Sequence, residues 1–155
     1  MKEFRNATAI LLYAPIGSEI CVDAIRKAAD EAGIPVGLPV CDPEKRMMRF
    51  RLARQGEPLC KGAFGIPEPP PSAPELIPDR GTVCVLPALA YDRERRRLGY
   101  GGGYYDRFLA GFPGLAVGVC YESNLLASVC AEPHDRAAHL IVTEKRTVGT
   151  TENKK

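Results

Sequence analysis

The sequence has 155 residues, of which 45% are hydrophobic and 26% are charged, and it carries a formal net charge of +2. This length suits one domain with a buried core and excludes a multidomain assembly. The composition excludes a disordered or fibrous chain. Because the charge is balanced, it gives no general argument for a nucleic acid or an anionic membrane as partner, and any anion site must be local.

The amino-terminal residues and the cysteines indicate the compartment. No window approaches the roughly 18 uninterrupted apolar residues of a membrane span, and residues 1–7 lack the apolar core of a signal peptide. The six cysteines are widely spaced and form no C-x-x-C pair, which favours reduced thiols over disulfides or a zinc site. We therefore expect a cytoplasmic protein that binds neither a membrane nor a nucleic acid.

The first part of the chain has the pattern of a β-α-β unit. Residues 8–14 (TAILLYA) form an apolar run without turn residues, which is typical of a strand buried on both faces. Apolar residues at three- and four-residue spacing predict a helix over 19–32, with Ser18 as its N-cap and Gly33 as its stop signal. Residues 35–40 then read as a second strand, so a parallel sheet follows.

The rest of the chain supplies further strands and short helices. Apolar and basic residues alternate over 47–52, which predicts a half-exposed strand that edges or caps the sheet. Six prolines between 67 and 78 predict a loop within the domain, with a linker as the alternative. Strands are predicted at 82–86, 115–120 and 140–142, and short helices at 104–110 and 123–129. We therefore expect the α/β class, with a mostly parallel sheet flanked by helices in a single domain over 1–146 and a polar tail over 147–155.

The densest unusual segment is RERRRLGYGGGYYDR at 93–107, which follows a buried strand and precedes a helix. Its glycines would let a ligand approach the main chain and let successive N–H groups converge on an anion. The neighbouring arginines suit the geometry of phosphate. The same run also fits a flexible turn beside a solvated basic face, because it is neither a G-x-G-x-x-G nor a Walker sequence.

Carboxylates near the glycine run raise the question of a bound cation. Asp106 would repel phosphate unless a cation such as Mg²⁺ lay between them, but it also fits a first-turn acid that stabilises the helix dipole. In the turn EPHD at 132–135, Asp135 could be a second cation ligand and His134 a polar contact, or the turn is a surface corner. Glu19 fits either dipole stabilisation or contact with a donor-rich ligand.

These motifs resemble those of the 5-formyltetrahydrofolate cyclo-ligase family, also called methenyltetrahydrofolate synthetase. The most specific stretch is LGYGGGYYD at 98–106. The other matching motifs, in family order, are FGIPEP at 64–69, LPALAYD at 86–92, EPHD at 132–135 and VTE at 142–144. The resemblance covers the chain from Thr8 to Glu144.

The resemblance implies an ATP- and Mg²⁺-dependent ring closure of 5-formyltetrahydrofolate to 5,10-methenyltetrahydrofolate, with release of ADP and phosphate. The formyl carbon is a poor electrophile because it belongs to a formamide. The formyl oxygen must therefore first accept the γ-phosphoryl group of ATP and so become a leaving group. N10 of the folate can then attack, and the protein contributes mainly positioning and charge neutralisation. The expected partner is the small-molecule folate, and the chain is expected to be a monomer or a weak homodimer.

The resemblance also assigns roles to individual positions. ATP contacts are expected from Arg97, Leu98, Gly99, Tyr100, Gly101, Gly102, Gly103, Tyr104 and Tyr105, with Arg97 and Tyr104 as catalytic residues. Folate contacts are expected from Ala14, Glu19, Met48, Phe50, Gly101, Gly102, Gly103 and Tyr104, and Mg²⁺ ligands from Asp106 and Asp135. Tyr104 and Tyr105 fit packing aromatics equally well.

The sequence differs from the family pattern at its start. Members usually begin with an additional helical segment whose Lys and Arg residues reach the ATP phosphates, whereas this sequence starts almost at its first strand. Lys2 and Arg5 lie too close to that strand for this role. The alternative expectation is therefore a nucleotide- or folate-binding relative with weakened or no catalysis. The low net charge and the absence of tryptophan disfavour a third reading, a nucleic-acid-binding module using residues 93–97.

Overall fold

The computed structural model describes residues 1–149. Its α-helices are α1 (Lys2–Arg5), α2 (Asp23–Glu31) and α3 (Tyr104–Ala110). Its strands are β1 (Ala9–Leu11), β2 (Val36–Asp42), β3 (Met47–Leu52), β4 (Cys60–Lys61), β5 (Pro67–Glu68), β6 (Thr82–Leu86), β7 (Ala90–Asp92), β8 (Arg97–Leu98), β9 (Leu115–Val119), β10 (Leu125–Leu126), β11 (Leu140–Val142) and β12 (Thr147–Gly149). Across these residues, no helix has the length and apolar character that a bilayer crossing requires.

The main sheet contains seven of the described strands, in the order β12-β11-β9-β6-β1-β2-β3. Strand β1 pairs in parallel with β2 and β6, and β9 pairs in parallel with β6 and β11. The outer strands β3 and β12 run antiparallel to their neighbours. This arrangement confirms the predicted α/β class and the predicted edge position of β3.

Short apolar runs form the central strands because both faces of the sheet are covered. All five residues of β6 are buried. In β1, Ile10 belongs to the core that includes Ala29 of α2, whereas Leu11 belongs to the core that packs against Phe108 of α3. Since successive side chains of a strand point to opposite faces, α2 and α3 lie on opposite sides of the sheet.

Two small sheets, β10-β7-β8 and β4-β5, accompany the main sheet. Tyr91 of β7 is fully buried and docks the three-stranded sheet onto the main sheet. Its hydroxyl donates a hydrogen bond to the Leu86 carbonyl at 2.9 Å. Its ring covers Gly118 of β9, where a Cβ would lie 2.6 Å from the ring. The small sheet therefore sits close to the main sheet because position 118 has no side chain.

The helix predicted over 19–32 is shorter in the structure, where it begins at the start of α2. The Glu19 carboxylate accepts a hydrogen bond from the Ile16 N–H at 2.8 Å. This contact holds the preceding stretch as a loop instead of a first helical turn. The N-cap position is therefore occupied by Val22 and not by Ser18.

The helix predicted over 123–129 is wrong. The segment forms a single 3-10 turn followed by the short strand β10, which pairs with β7. The Asn124 side-chain amide donates to the Leu89 carbonyl at 3.1 Å, and the Val129 N–H donates to the Asp92 carboxylate at 3.4 Å. These contacts with a distant part of the chain outweigh the local helical pattern.

The predicted domain boundary at 146 also needs correction. Residues Thr147–Gly149 form β12, in which Val148 is the register partner of Ile141 in β11. Backbone pairing therefore makes these residues part of the main sheet and not of a polar tail. The remainder of the predicted tail, 150–155, lies outside the described residues.

Candidate active site

The site lies at the carboxyl edge of the main sheet, between β1 and β6. The chain leaves β1 toward β2 on one side, and leaves β6 toward β9 on the other. Ligands of open α/β sheets bind in the crevice at such a point. The segment after β1 meets the segment after β6 here, because a Cβ at Gly17 would lie 3.9 Å from the Tyr100 hydroxyl oxygen.

The glycine loop, Gly99–Gly103, connects β8 to α3. Gly101 and Gly103 have φ values of 87° and 68°, which lie in the left-handed region that side chains disfavour. Within residues 1–149, none of the five N–H groups of this loop donates a hydrogen bond to another backbone group. The loop therefore offers a run of donors to a ligand, as an anion site requires.

Arg97 lies directly beneath this loop, since a Cβ at Gly99 would lie 2.8 Å from its Nη1. Its side chain is only 9% exposed. Nη1 donates to the Pro87 carbonyl at 3.2 Å, the guanidinium carbon lies 5.1 Å from the centre of the Tyr105 ring, and Nη2 lies 3.7 Å from Asp106 Oδ2. Nε is buried without a hydrogen-bond partner among the described residues. The Nε–H of Arg97 is therefore a donor that makes no hydrogen bond to the described residues.

The two predicted metal ligands belong to segments that touch each other. Asp106 Oδ1 accepts a hydrogen bond from the Arg136 N–H at 3.1 Å, which places α3 against the turn that carries Asp135. Asp135 Oδ2 accepts one from the Glu132 N–H at 2.7 Å. No group of three or more metal-binding side chains is found in residues 1–149. Two carboxylates fit Mg²⁺, which usually takes its other ligands from phosphate and water.

Glu19 faces the same site from the loop after β1. It is half-buried, and burial raises its pKa above the ordinary value of 4.5, although the Ile16 N–H and the Arg97 guanidinium oppose this shift. The predicted folate contact Ala14 lies half-buried at the start of the same loop. The structure therefore brings Glu19, Arg97 and Asp106 together from three separate segments.

Met48 and Phe50 are more deeply buried than side chains that cover a bound ligand would be. Met48 is 9% exposed and Phe50 is 2% exposed, and both belong to the core beneath α3. The Phe50 ring contacts Phe108, with a centroid distance of 4.9 Å. In contrast, Leu98 and Tyr100 of the glycine-loop region are exposed. The roles expected of these four residues stay predictions.

The two tyrosines after the glycine loop differ in their surroundings. Both side chains are partly buried and pack against the same core, and burial raises the pKa of Tyr105 well above 10.0. The Tyr104 ring lies between the Phe64 ring, 5.8 Å away in an edge-on arrangement, and the Arg107 guanidinium, 5.1 Å away. Packing against the core thus fits both tyrosines, and Tyr104 in addition contacts Phe64 and Arg107.

The sequence pattern assigned no individual role to Phe64 or Arg107. Phe64 is 67% exposed and has a φ of 60°, which is unusual for a residue with a side chain. An exposed aromatic ring beside Tyr104 marks the rim of the site. The available signal was the FGIPEP motif, which contains Phe64, but the pattern alone does not show that this segment reaches α3.

Fold and site together define an α/β protein with a donor-rich glycine loop at the carboxyl edge of its sheet. Residues 1–144 match the model of the 5-formyltetrahydrofolate cyclo-ligase family. The 5-formyltetrahydrofolate cyclo-ligase of Mycolicibacterium smegmatis is 36% identical over 150 residues, which cover 92% of this chain and 77% of the relative. The chain therefore belongs to the 5-formyltetrahydrofolate cyclo-ligase family, as its motifs indicated.

Two further comparisons agree with this assignment. The 5-formyltetrahydrofolate cyclo-ligase of Haemophilus influenzae is 30% identical over 138 residues, covering 86% of this chain and 74% of the relative. The solved structure of the 5,10-methenyltetrahydrofolate synthetase of Aquifex aeolicus is 28% identical and covers 99% of this chain and 77% of its own, with a TM-score of 0.79. The family is a family of ligases, so the chain belongs to an enzyme class.

Proposed function

We propose that the protein converts 5-formyltetrahydrofolate to 5,10-methenyltetrahydrofolate, using ATP and Mg²⁺ and releasing ADP and phosphate. Membership of the cyclo-ligase family supports the ring closure. The observation that carries the nucleotide part is the glycine loop, whose N–H groups have no backbone partner within residues 1–149 and whose Gly99 lies against the Arg97 guanidinium. This combination is suited to a phosphate chain.

The chain's own residues contribute charge neutralisation. The glycine-loop N–H groups would donate hydrogen bonds to phosphate oxygens, and the Arg97 Nε–H, which has no partner among the described residues, would donate one more. Bound ATP supplies the phosphoryl group that makes the formyl oxygen a leaving group. Because the new five-membered ring, which contains N5, the formyl carbon and N10, closes within one folate molecule, the remaining task of the protein is to hold N10 close to the formyl carbon.

Asp106 and Asp135 would hold the metal ion, which neutralises phosphate charge when it is bound. The Arg97 guanidinium, 3.7 Å from Asp106, already balances one carboxylate in this region. Glu19 would bind donor groups of the pterin ring, because its carboxyl group lies in the loop after β1 and is close enough to Arg97 for the guanidinium to lower its pKa. Tyr104 and the exposed loop residues would cover the folate from above.

The Asp106→Asn substitution tests the metal part of this proposal. We expect Mg²⁺-dependent turnover to fall by at least about 100-fold, equivalent to roughly 2.7 kcal/mol of transition-state stabilisation. The fold should persist, because an asparagine side-chain oxygen can still accept the Arg136 N–H. The readout is the absorbance of methenyltetrahydrofolate formed from 5-formyltetrahydrofolate, ATP and MgCl₂ by the purified full chain.

The matched control is Asp30→Asn, which changes the same residue type in α2 on the far side of the molecule from α3. Near-normal activity of Asp106→Asn would contradict a ligand role for Asp106. In the wild-type chain, ATP consumption that depends on 5-formyltetrahydrofolate indicates an enzyme. Folate binding without ATP consumption would indicate the alternative, a binding protein with weakened or no catalysis.

A further inference from the structure

Arg107 of α3 bridges two segments that are far apart in sequence. Its Nε donates a hydrogen bond to the Arg46 carbonyl at 2.6 Å, and its Nη2 donates one to the Gly102 carbonyl at 2.8 Å. Arg46 lies in the turn between β2 and β3, with a φ of 53°. The planar guanidinium thus ties the glycine loop to this turn through two donors whose relative direction is fixed.

The bond to the Gly102 carbonyl fixes the direction of the next N–H group. In a trans peptide, the C=O and the N–H point to opposite sides, and the described chain contains no cis peptide bonds. Because the Gly102 carbonyl points toward Arg107, the N–H of Gly103 points away from Arg107. Rotating this peptide plane would break the bond to Nη2.

Glycine at position 103 makes this arrangement possible. A Cβ there would lie 2.7 Å from Arg107 Nη1, so any side chain would push the guanidinium away. The φ of 68° at Gly103 is also one that glycine adopts without strain. Tyr104 supports the guanidinium from one side, with its ring centre 5.1 Å from the guanidinium carbon.

We infer that Arg107 is a positioning residue that sets the conformation of the glycine loop and aims the Gly103 N–H at the phosphate chain of the nucleotide. The inference rests on the proposed function of that loop. In this role Arg107 acts through main-chain atoms and not through contact with the substrate. Its Nε and Nη2 donors are already engaged with protein carbonyls, and its guanidinium face lies over Tyr104.

The Arg107→Lys variant tests this role, because lysine keeps the charge but cannot bridge two carbonyls with a rigid fork. In the full chain without nucleotide, we expect the ¹⁵N order parameters of Gly102 and Gly103 to fall from about 0.85 to below about 0.6. The Kd for ATP with Mg²⁺ should rise by about tenfold, which corresponds to roughly 1.4 kcal/mol. The matched control is Arg93→Lys, an exposed arginine of the same basic segment, for which both quantities should stay unchanged.

A rescue experiment with Arg107→Ala separates positioning from a purely structural role. Millimolar guanidinium chloride should restore at least part of the ATP affinity of this variant, whereas the same concentration of sodium chloride should not. Unchanged order parameters in both variants would overturn the inference. A loss of ATP affinity with unchanged order parameters would also overturn it, because Arg107 would then contact the nucleotide directly.

ATP binding by the wild-type chain distinguishes failure of this inference from failure of the proposed function. If the wild-type chain shows no ATP binding at all, the proposed function fails, and the order parameters still decide whether Arg107 fixes the loop. If the wild-type chain binds ATP and Arg107→Lys binds it equally well, the inference fails and the proposed function stands.

Discussion

Arg97 lies close to two acids of the site, Asp106 and Glu19. Its guanidinium is 3.7 Å from Asp106 and lowers the pKa of Glu19, although burial of Glu19 has the larger, opposite effect. With Glu19 ionised, one guanidinium and two carboxylates carry a net negative charge, so these three groups alone do not neutralise a triphosphate. Under the proposed function, a divalent cation bound with the nucleotide would supply positive charge that these three groups lack.

Glu19 gives a residue-scale prediction about pH. Because burial raises its pKa above 4.5, the folded state favours the neutral acid, and ionised Glu19 costs stability near neutral pH. The stabilisation from neutral Glu19 is complete below about pH 4.5 and is lost as pH rises through the folded-state pKa. The Glu19→Gln variant stays neutral, so it should be more stable than wild type at neutral pH and no more stable below pH 4.5.

Urea unfolding of the full chain across this pH range measures the difference. Glutamine keeps an acceptor for the Ile16 N–H, so the loop should retain its conformation. Glu57→Gln is the control, since Glu57 forms an exposed ion pair with Arg54. A Glu19→Gln variant that is less stable than wild type at neutral pH would show that the attraction to Arg97 outweighs the cost of burial.

At the scale of elements, the β7–β8 hairpin carries the chain from the core to the glycine loop. Asp92, at the end of β7, is fully buried. Its oxygens accept hydrogen bonds from the Arg96 N–H at 3.0 Å, the Arg96 Nε at 2.8 Å and the Val129 N–H at 3.4 Å. One carboxylate thus closes the hairpin turn and anchors the segment after β10.

The Asp92→Asn variant tests this anchor. Burial alone would raise the pKa of Asp92, but hydrogen bonds from Arg96 outweigh it and hold the pKa below 3.8. The stabilisation is therefore present above pH 3.8 and is lost as pH falls through the lower folded-state pKa. We expect Asp92→Asn to lose about 1.5–3 kcal/mol of unfolding free energy at neutral pH, with a smaller loss in acid.

Chemical denaturation at neutral and acidic pH checks this expectation. Glu94→Gln is the matched control, because the 64%-exposed Glu94 pairs with the same Arg96 guanidinium and should contribute less than about 1 kcal/mol. Equal effects of the two substitutions would show that burial of Asp92 does not strengthen its contacts.

At the scale of the whole molecule, the glycine loop depends on how the small sheet docks on the main sheet. Tyr91 fills the space above Gly118 and reaches the Leu86 carbonyl at the end of β6. Strand β8, which precedes the glycine loop, is paired to the strand that carries Tyr91. The position of the loop over the carboxyl edge therefore follows from a packing contact in the core.

The Gly118→Ala substitution should separate the two sheets. An added Cβ would lie 2.6 Å from the Tyr91 ring, and such overpacking costs about 1–3 kcal/mol. We expect the unfolding midpoint to fall by roughly 2–4 °C per kcal/mol lost. The control is Gly111→Ala, where a Cβ would meet no atom within 4 Å. A calorimetric midpoint equal to that of the control would contradict this view of the docking.

The sequence pattern correctly predicted a helix that depends on local spacing and a strand that is buried on both faces. Strand β6 and helix α3 occupy the predicted residues, because five apolar or small residues in a row and a regular helical spacing have few alternatives. The helix over 123–129 was predicted from the same kind of evidence. It failed because Leu89 and Asp92 bind this segment from elsewhere in the chain.

The sequence by itself determined the α/β class, the family and the glycine loop, since each depends on residue types at short spacing. The tertiary structure alone decided that Arg97 pairs with Asp106 beneath that loop and that Arg107 ties it to Arg46. Those partners are separated along the chain and meet only after the strands pair and the helices pack. Their contacts depend on distances in space, which a one-dimensional pattern does not contain.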